Sequence, residues 1–217
     1  MAGPILLFAD EAEELHGWLA GRHPDERFLA VSDPAGLDAA LAEAPEAMFV
    51  ISSSRFARED YRKALETPSL RWVQTGGSGY ENLAPWDAER ITLTNGVGVL
   101  APYLAETAMG AMLMLNGGLL RYHDRQRERA WDPAPFPPLA GQTLLVVGAG
   151  AIGREVAARA RAFGVTTIGL SRDGAPRAPF DETGRVAELE RHLPRADLVS
   201  CHLRLNAETA GMFNARR

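Results

Sequence analysis

The run Leu144-Leu145-Val146-Val147 leads directly into Gly148-Ala149-Gly150-Ala151-Ile152-Gly153, and that order leaves few folds open. A continuous apolar run is expected of a parallel strand buried on both faces. Arg154 to Phe163 then reads as a helix, with Val156, Ala157, Ala160 and Phe163 recurring on one face and Gly164 at its end. The glycines therefore sit at a strand-to-helix turn. Gly148 permits the tight turn, Gly150 lets a pyrophosphate approach the backbone, and Gly153 lets the helix pack closely on the strand. The helix start faces such a phosphate with unpaired N–H groups and a positive dipole end.

A second strand is expected from Val165 to Leu170, and the residues at its tip select the dinucleotide. NAD sites place an acid there, which accepts hydrogen bonds from the adenosine ribose. This strand runs into Ser171-Arg172. A carboxylate would repel the extra phosphate of NADP, whereas Ser171 can donate to it and the Arg172 guanidinium can clamp it with two charge-assisted bonds. That favours NADP over NAD. Two alternatives stay open: Arg172 as a solvated loop residue, and Asp173 as the acid if the strand ends slightly later.

At 217 residues the chain is long enough for one or two domains with a sizeable core. Its net charge of −5 gives no electrostatic argument for nucleic acid or an anionic membrane as a partner. Cys201 is the one cysteine, so no internal disulfide can form; its place in an apolar strand favours a buried structural thiol over a nucleophile. The short apolar run Pro4 to Ala9, followed by acids, reads as a first strand rather than a signal peptide. The stretch from Ala108 to Leu120 is too short to span a bilayer and is broken by Asn116-Gly117-Gly118. The expectation is a cytoplasmic enzyme with no membrane segment and no metal site.

Residues 1–100 read as a separate α/β domain, followed by 101–217 with a linking helix and the dinucleotide-binding part. Strands are expected at Ile5 to Ala9, Phe28 to Val31, Met48 to Ile51, Trp72 to Thr75 and Ile91 to Thr94. Helices at Glu11 to Ala20, Gly36 to Ala44 and Arg58 to Glu66 alternate with them, as in a parallel sheet covered by helices. Asp10 and Asp33 read as helix caps. The Pro-rich piece Asp132-Pro133-Ala134-Pro135-Phe136-Pro137-Pro138 reads as a stiff connection.

Two stretches of the first half look functional. In Thr75-Gly76-Gly77-Ser78-Gly79-Tyr80, glycines after a strand free backbone N–H groups to face a ligand, a nest suited to a carboxylate; a flexible strand-to-helix turn is the alternative. Ala101-Pro102-Tyr103-Leu104-Ala105-Glu106-Thr107 opens a helix with Pro in its first turn, and Glu106 there serves the helix dipole or a packing contact.

Taken in order, these motifs resemble the D-isomer-specific 2-hydroxyacid dehydrogenase family. The resemblance runs through Leu70 to Leu83, Thr94-Asn95-Gly96-Val97 with Leu104-Ala105-Glu106, the fingerprint, and Ala196-Asp197-Leu198-Val199-Ser200-Cys201-His202-Leu203. It implies a flavodoxin-like substrate domain followed by a partial Rossmann domain, a doubly wound parallel sheet, with substrate in the cleft between them. It implies that Gly77, Ser78 and Gly79 hold the substrate carboxylate by backbone groups, that Leu104 approaches the nicotinamide, and that Ala151 and Ile152 meet the pyrophosphate. The Ser171-Arg172 ending is most similar to the NADPH-using glyoxylate/hydroxypyruvate reductase branch, whose substrates are small 2-oxo acids. The helix from Pro102 onward and the arginine-rich segment Arg121 to Arg129 resemble the region through which family members form homodimers. Gly117 and Gly118 depart from the unbroken helix of that region; helical glycines cost about 1 kcal/mol each relative to alanine, so a break is expected there.

The implied reaction is hydride transfer to a carbonyl carbon with proton delivery to the developing alkoxide. The resemblance assigns it to an arginine, a histidine and a glutamate that follow the Asp197 to Leu203 strand, so no catalytic residue is assigned within this sequence. His202 matches a structural or cofactor-side position rather than the acid, and His16, His23, His123 and His192 sit in polar surroundings without a motif. Three strands are expected after residue 143, at Leu144, Val165 and Asp197, which is one half of a doubly wound domain. On that reading the chain is a portion of a longer enzyme or a remnant, inactive by itself. The alternative is a noncatalytic nucleotide-binding or dimerising module.

Overall fold

The computed structural model describes residues 3–51, 53–131 and 133–215; Asp132, the first residue of the Pro-rich connection, lies outside them. The chain divides into two compact units, Met1–Val99 and Leu100–Arg217.

In the first unit β1 (Ile5–Phe8), α1 (Ala12–Arg22), β2 (Phe28–Val31), α2 (Leu37–Ala42), β3 (Ala47–Val50), α3 (Arg58–Glu66), β4 (Trp72–Thr75) and β5 (Thr92–Thr94) follow one another. All pairings are parallel, in the order β2-β1-β3-β4-β5, which is the flavodoxin-like order. Alternation along the strands sends Leu6, Phe8, Met48, Val50 and Val73 into one core with Leu37, Tyr61 and Leu65. Register reinforces it, because Leu6 lies opposite Met48 and Met48 opposite Val73, so an apolar row crosses the sheet. Leu6, Met48 and Val73, each at most 1% exposed, contribute about 1.5–3 kcal/mol apiece by leaving water.

The second unit opens with α4 (Ala101–Asn116), carrying Pro102 in its first turn, and α5 (Leu119–Arg127). The expected break lies between them: Gly117 caps α4 and Gly118 takes the left-handed conformation at φ +62°. There follow β6 (Thr143–Val147), α6 (Ala151–Ala162), β7 (Thr166–Ser171), β8 (Glu182–Arg185), α7 (Leu189–His192) and β9 (Leu198–Cys201). Parallel pairing gives the order β8-β7-β6-β9. In β6, Leu144 and Val146 meet α4 and α6 through Met109, Val156 and Ala160, while Leu145 and Val147 meet Ile168, Leu170 and Leu189. Burial on both faces explains the unbroken apolar run. The Pro-rich connection is tied back, with Asn116 Nδ2 donating to the Pro137 carbonyl at 2.7 Å and Tyr122 Oη to that of Ala134.

Several expectations need correction. The second sheet has four strands, not three, so it exceeds one half-domain: β8 was not foreseen, and β9 lies on the far side of β6 from β7. Glu182-Thr183-Gly184-Arg185 has no apolar run, since this edge strand is held by polar contacts. Arg195 pairs Glu182 through two bonds of 2.8 and 2.5 Å, and His192 Nδ1 stands 3.6 Å from Glu182 Oε1. His192 sits in the polar surroundings expected of it, and is itself buried there, 3% exposed. Cys201 is exposed, not buried, because β9 has a strand neighbour on one side only and turns Val199 and Cys201 outward. Asp10 caps no helix: α1 starts without a side-chain cap, and Asp10 instead accepts the Ser53 hydroxyl and lies 3.7 Å from Arg55 Nε. Asp33 does cap, accepting the Ala35 N–H at 2.8 Å.

Candidate functional site

The turn from β6 into α6 separates its three glycines by their reasons for being there. Gly148 has φ +111°, and a Cβ on it would lie 2.7 Å from the His202 backbone, which β9 brings alongside. A Cβ on Gly153 would overlap the Gly148 carbonyl and lie 2.8 Å from Val146 Cγ1. Both are therefore required by the fold itself. Gly150 is not: its φ is −83°, and a Cβ there would meet nothing within 4 Å. Space held open over backbone at a helix start suits an approaching phosphate.

The donors at that start are available. The Gly148 and Ala149 N–H groups are spent on the Leu170 carbonyl at 2.9 and 2.8 Å. The helix has no side-chain cap, and Arg154 N–H reaches the Gly150 carbonyl at 3.0 Å. The N–H groups of Ala151, Ile152 and Gly153 belong to the first turn, ahead of the helical ladder. This donor set and cradle fit a dinucleotide pyrophosphate.

At the tip of β7 the Ser171 hydroxyl donates to Asp173 Oδ1 at 2.8 Å and accepts the Gly174 N–H at 3.0 Å. Asp173 also takes Arg177 Nη2 at 2.7 and 2.6 Å. The Ser171 hydroxyl, then the Ala175 N–H, hold the Asp173 carboxyl below its ordinary range. Its acceptor capacity is therefore engaged within its own turn. Arg172 is exposed, and no hydrogen bond or ion pair of its side chain occurs among the described residues. It lines a cavity of about 680 Å³ with Leu189, Leu203, Arg204 and Met212. Sequence reasoning missed Arg204; the rule that ligands bind beyond the carboxyl ends of parallel strands would have pointed to it.

His202 follows β9. Its N–H donates to the Val147 carbonyl at 2.8 Å and its Nε2 lies 2.8 Å from Ser200 Oγ. Burial holds its imidazole below the usual histidine value. Glu106 on α4 lies 3.6 Å from Arg159 Nη2 of α6, an ion pair between the two helices. Leu104, in the first turn of α4, is 44% exposed.

In the first unit the loop after β4 is fixed at both ends. Gly76 N–H donates to the Val50 carbonyl at 2.9 Å, the Gly77 carbonyl accepts the Gly96 N–H at 2.9 Å and Thr75 Oγ1 at 2.8 Å, and Asn95 Nδ2 donates to the Ser78 carbonyl at 3.0 Å. Carbonyls are used and donors remain: among the described residues the Gly77 and Gly79 N–H groups donate no hydrogen bond. A Cβ on Gly77 would meet nothing within 4 Å, as at Gly150. No group of His, Cys, Asp and Glu among the described residues could hold a metal ion, and none of their helices is long and apolar enough to cross a membrane.

Comparison with known proteins agrees with this layout. Residues 109–217 match the family model described as D-isomer specific 2-hydroxyacid dehydrogenase, NAD binding domain. A D-3-phosphoglycerate dehydrogenase of Mycobacterium leprae is 29% identical over 218 residues, covering 97% of this chain and 40% of that protein. A glyoxylate reductase of Korarchaeum cryptofilum is 36% identical over 157 residues, covering 67% of this chain and 46% of that protein. The chain thus spans less than half the length of these two relatives. A solved 2-hydroxyacid dehydrogenase family protein of Aeromonas salmonicida superposes with a TM-score of 0.86 at 27% identity, covering 100% of this chain and 69% of that one.

Proposed function

The chain belongs to the D-isomer specific 2-hydroxyacid dehydrogenase family, and from that premise we propose that it is the cofactor-binding and carboxylate-binding part of an NADP(H)-dependent reductase of small 2-oxo acids. The carrying observation is Gly150, whose missing side chain no part of the described structure requires. Gly148, Gly150, Gly153 and the N–H groups of Ala151 and Ile152 would hold the pyrophosphate. Arg172 would clamp the 2′-phosphate, with Ser171 acting through the turn that keeps Asp173 engaged. An acid so engaged is a poor ribose acceptor, which supports NADP over NAD. Leu104 would offer an apolar surface to the nicotinamide, and the Gly77, Ser78 and Gly79 backbone would bind the substrate carboxylate. When bound, the reduced nicotinamide supplies a hydride to the carbonyl carbon.

We assign no proton donor among these 217 residues. His202 is unsuited to the task, because burial favours its neutral form and its Nε2 is occupied by Ser200. Leu113, Leu115, Leu119 and Leu120 lie exposed along α4 and α5, which supports a homodimer. Having one cysteine fits a reducing compartment, and we place the protein in the cytoplasm. Following NADPH absorbance with glyoxylate or hydroxypyruvate tests the assignment: the chain alone should show no turnover, and robust oxidation would contradict it by placing a proton donor among these residues.

A further inference from the structure

The cavity beside the fingerprint carries a second guanidinium. In the order β8-β7-β6-β9, the strands β7 and β9 flank β6, whose end forms the glycine turn. Arg172 follows β7 directly and Arg204 lies three residues beyond β9, yet both line the same cavity of about 680 Å³. They reach it from opposite sides of the strand that would position the pyrophosphate. Val186, Leu189, Leu203 and Met212 give that cavity its apolar lining, and Glu190 and Glu208 are its acids.

Arg204 also stands on a fixed backbone. Its carbonyl accepts Thr209 Oγ1 at 2.6 Å, and that hydroxyl in turn accepts the Asn206 N–H at 2.9 Å. Asn206 Oδ1 accepts the N–H groups of Glu208 and Thr209 at 2.9 and 3.0 Å. A side chain carried by such a turn starts from a defined position, as a recognition residue must.

We infer that Arg204 is a second specificity residue for NADP, clamping the 2′-phosphate from the wall opposite Arg172. A phosphate monoester presents three acceptor oxygens and close to two negative charges, more than a single planar guanidinium can satisfy. NADH offers only uncharged ribose hydroxyls there, which give a guanidinium no charge to neutralise. Arg204 therefore acts on the difference between the two cofactors rather than on dinucleotide affinity in general. The inference rests on the reading of Arg172 and the fingerprint as an NADP site.

The test is equilibrium binding of NADPH and of NADH, followed by nicotinamide fluorescence, to the whole chain and to its R172A, R204A and doubly substituted forms. Arg204 is exposed, so unchanged NADH binding serves as the control for folding. R204A should weaken NADPH about tenfold, leave NADH within about twofold, and lower the salt dependence of NADPH binding. If R172A weakens NADPH selectively and R204A does not, this inference fails while the NADP site stands. If neither substitution discriminates between the cofactors, or if the chain binds neither, both are overturned.

Discussion

Replacing Gly150 by alanine should weaken dinucleotide binding while leaving the fold intact. At φ −83° and ψ −158° an L-residue is unstrained, and the new methyl would meet nothing within 4 Å. Two small effects then oppose each other: reduced freedom of the unfolded chain stabilises by about 0.4–1 kcal/mol, and alanine is the poorer helix N-cap by about 1 kcal/mol. Net stability should stay within about 1 kcal/mol of the parent, or roughly 2–4 °C in Tm for a chain of this size. The methyl would instead occupy the space kept over the α6 start. Losing one charge-assisted bond to a phosphate costs about 1.5–3 kcal/mol, roughly 10- to 100-fold in Kd. Gly153→Ala is the contrast, since its methyl would overlap the Gly148 carbonyl, and overpacking of that kind costs about 1–3 kcal/mol or more. Thermal unfolding and NADPH titration of both variants form the assay. The reasoning is refuted if G150A binds NADPH within about twofold of the parent, or if it unfolds as early as G153A.

The same logic at Gly77 predicts that Gly77→Ala keeps its Tm and weakens glyoxylate about tenfold in an NMR shift titration; equal affinity would remove the loop from the carboxylate site. His202 is held below its ordinary value by burial, so the unfolded chain takes up its proton first and stability falls as pH drops below about 6.5. Urea unfolding at neutral and mildly acidic pH should show a smaller loss for His202→Gln, and identical losses would contradict this. Asp181 accepts Thr167 N–H and Oγ1, each at 2.9 Å, and the Thr167 N–H is the leading cause of its lowered carboxyl value. Its contribution is present above the ordinary carboxylate range and lost as pH falls through the lower folded value. Asp181→Ala should therefore destabilise by about 1 kcal/mol near neutrality and less in acid; a loss independent of pH would rule this out.

What could be read from the sequence follows from what kind of contact holds each piece. β2, β4 and α3 lie at their expected bounds, each marked by a local run of residues and anchored by buried ones: Val31, Val73, and Tyr61 with Leu65. The fingerprint was legible because the positive φ of Gly148 and the approach of Gly153 to the Gly148 carbonyl belong to one turn, although the backbone nearest Gly148 is that of His202 on the far strand. β8 was not, since an edge strand of Glu182, Thr183, Gly184 and Arg185 depends on Arg195 and His192, supplied later in the chain. Asp10 likewise finds its partner 43 residues away, at Ser53, where no local pattern marks it. Cys201 misled because an apolar strand reads as buried, while exposure on β9 depends on which strands flank it. Arg204 escaped notice for a related reason: its relation to Arg172 exists only in the strand order.

The most direct measurement is a calorimetric titration of the 217-residue chain with NADPH and, separately, with NADH. One site is expected for each, with NADPH the tighter by at least tenfold and the difference reduced by salt. A clear preference for NADH, or no binding of either, would contradict it.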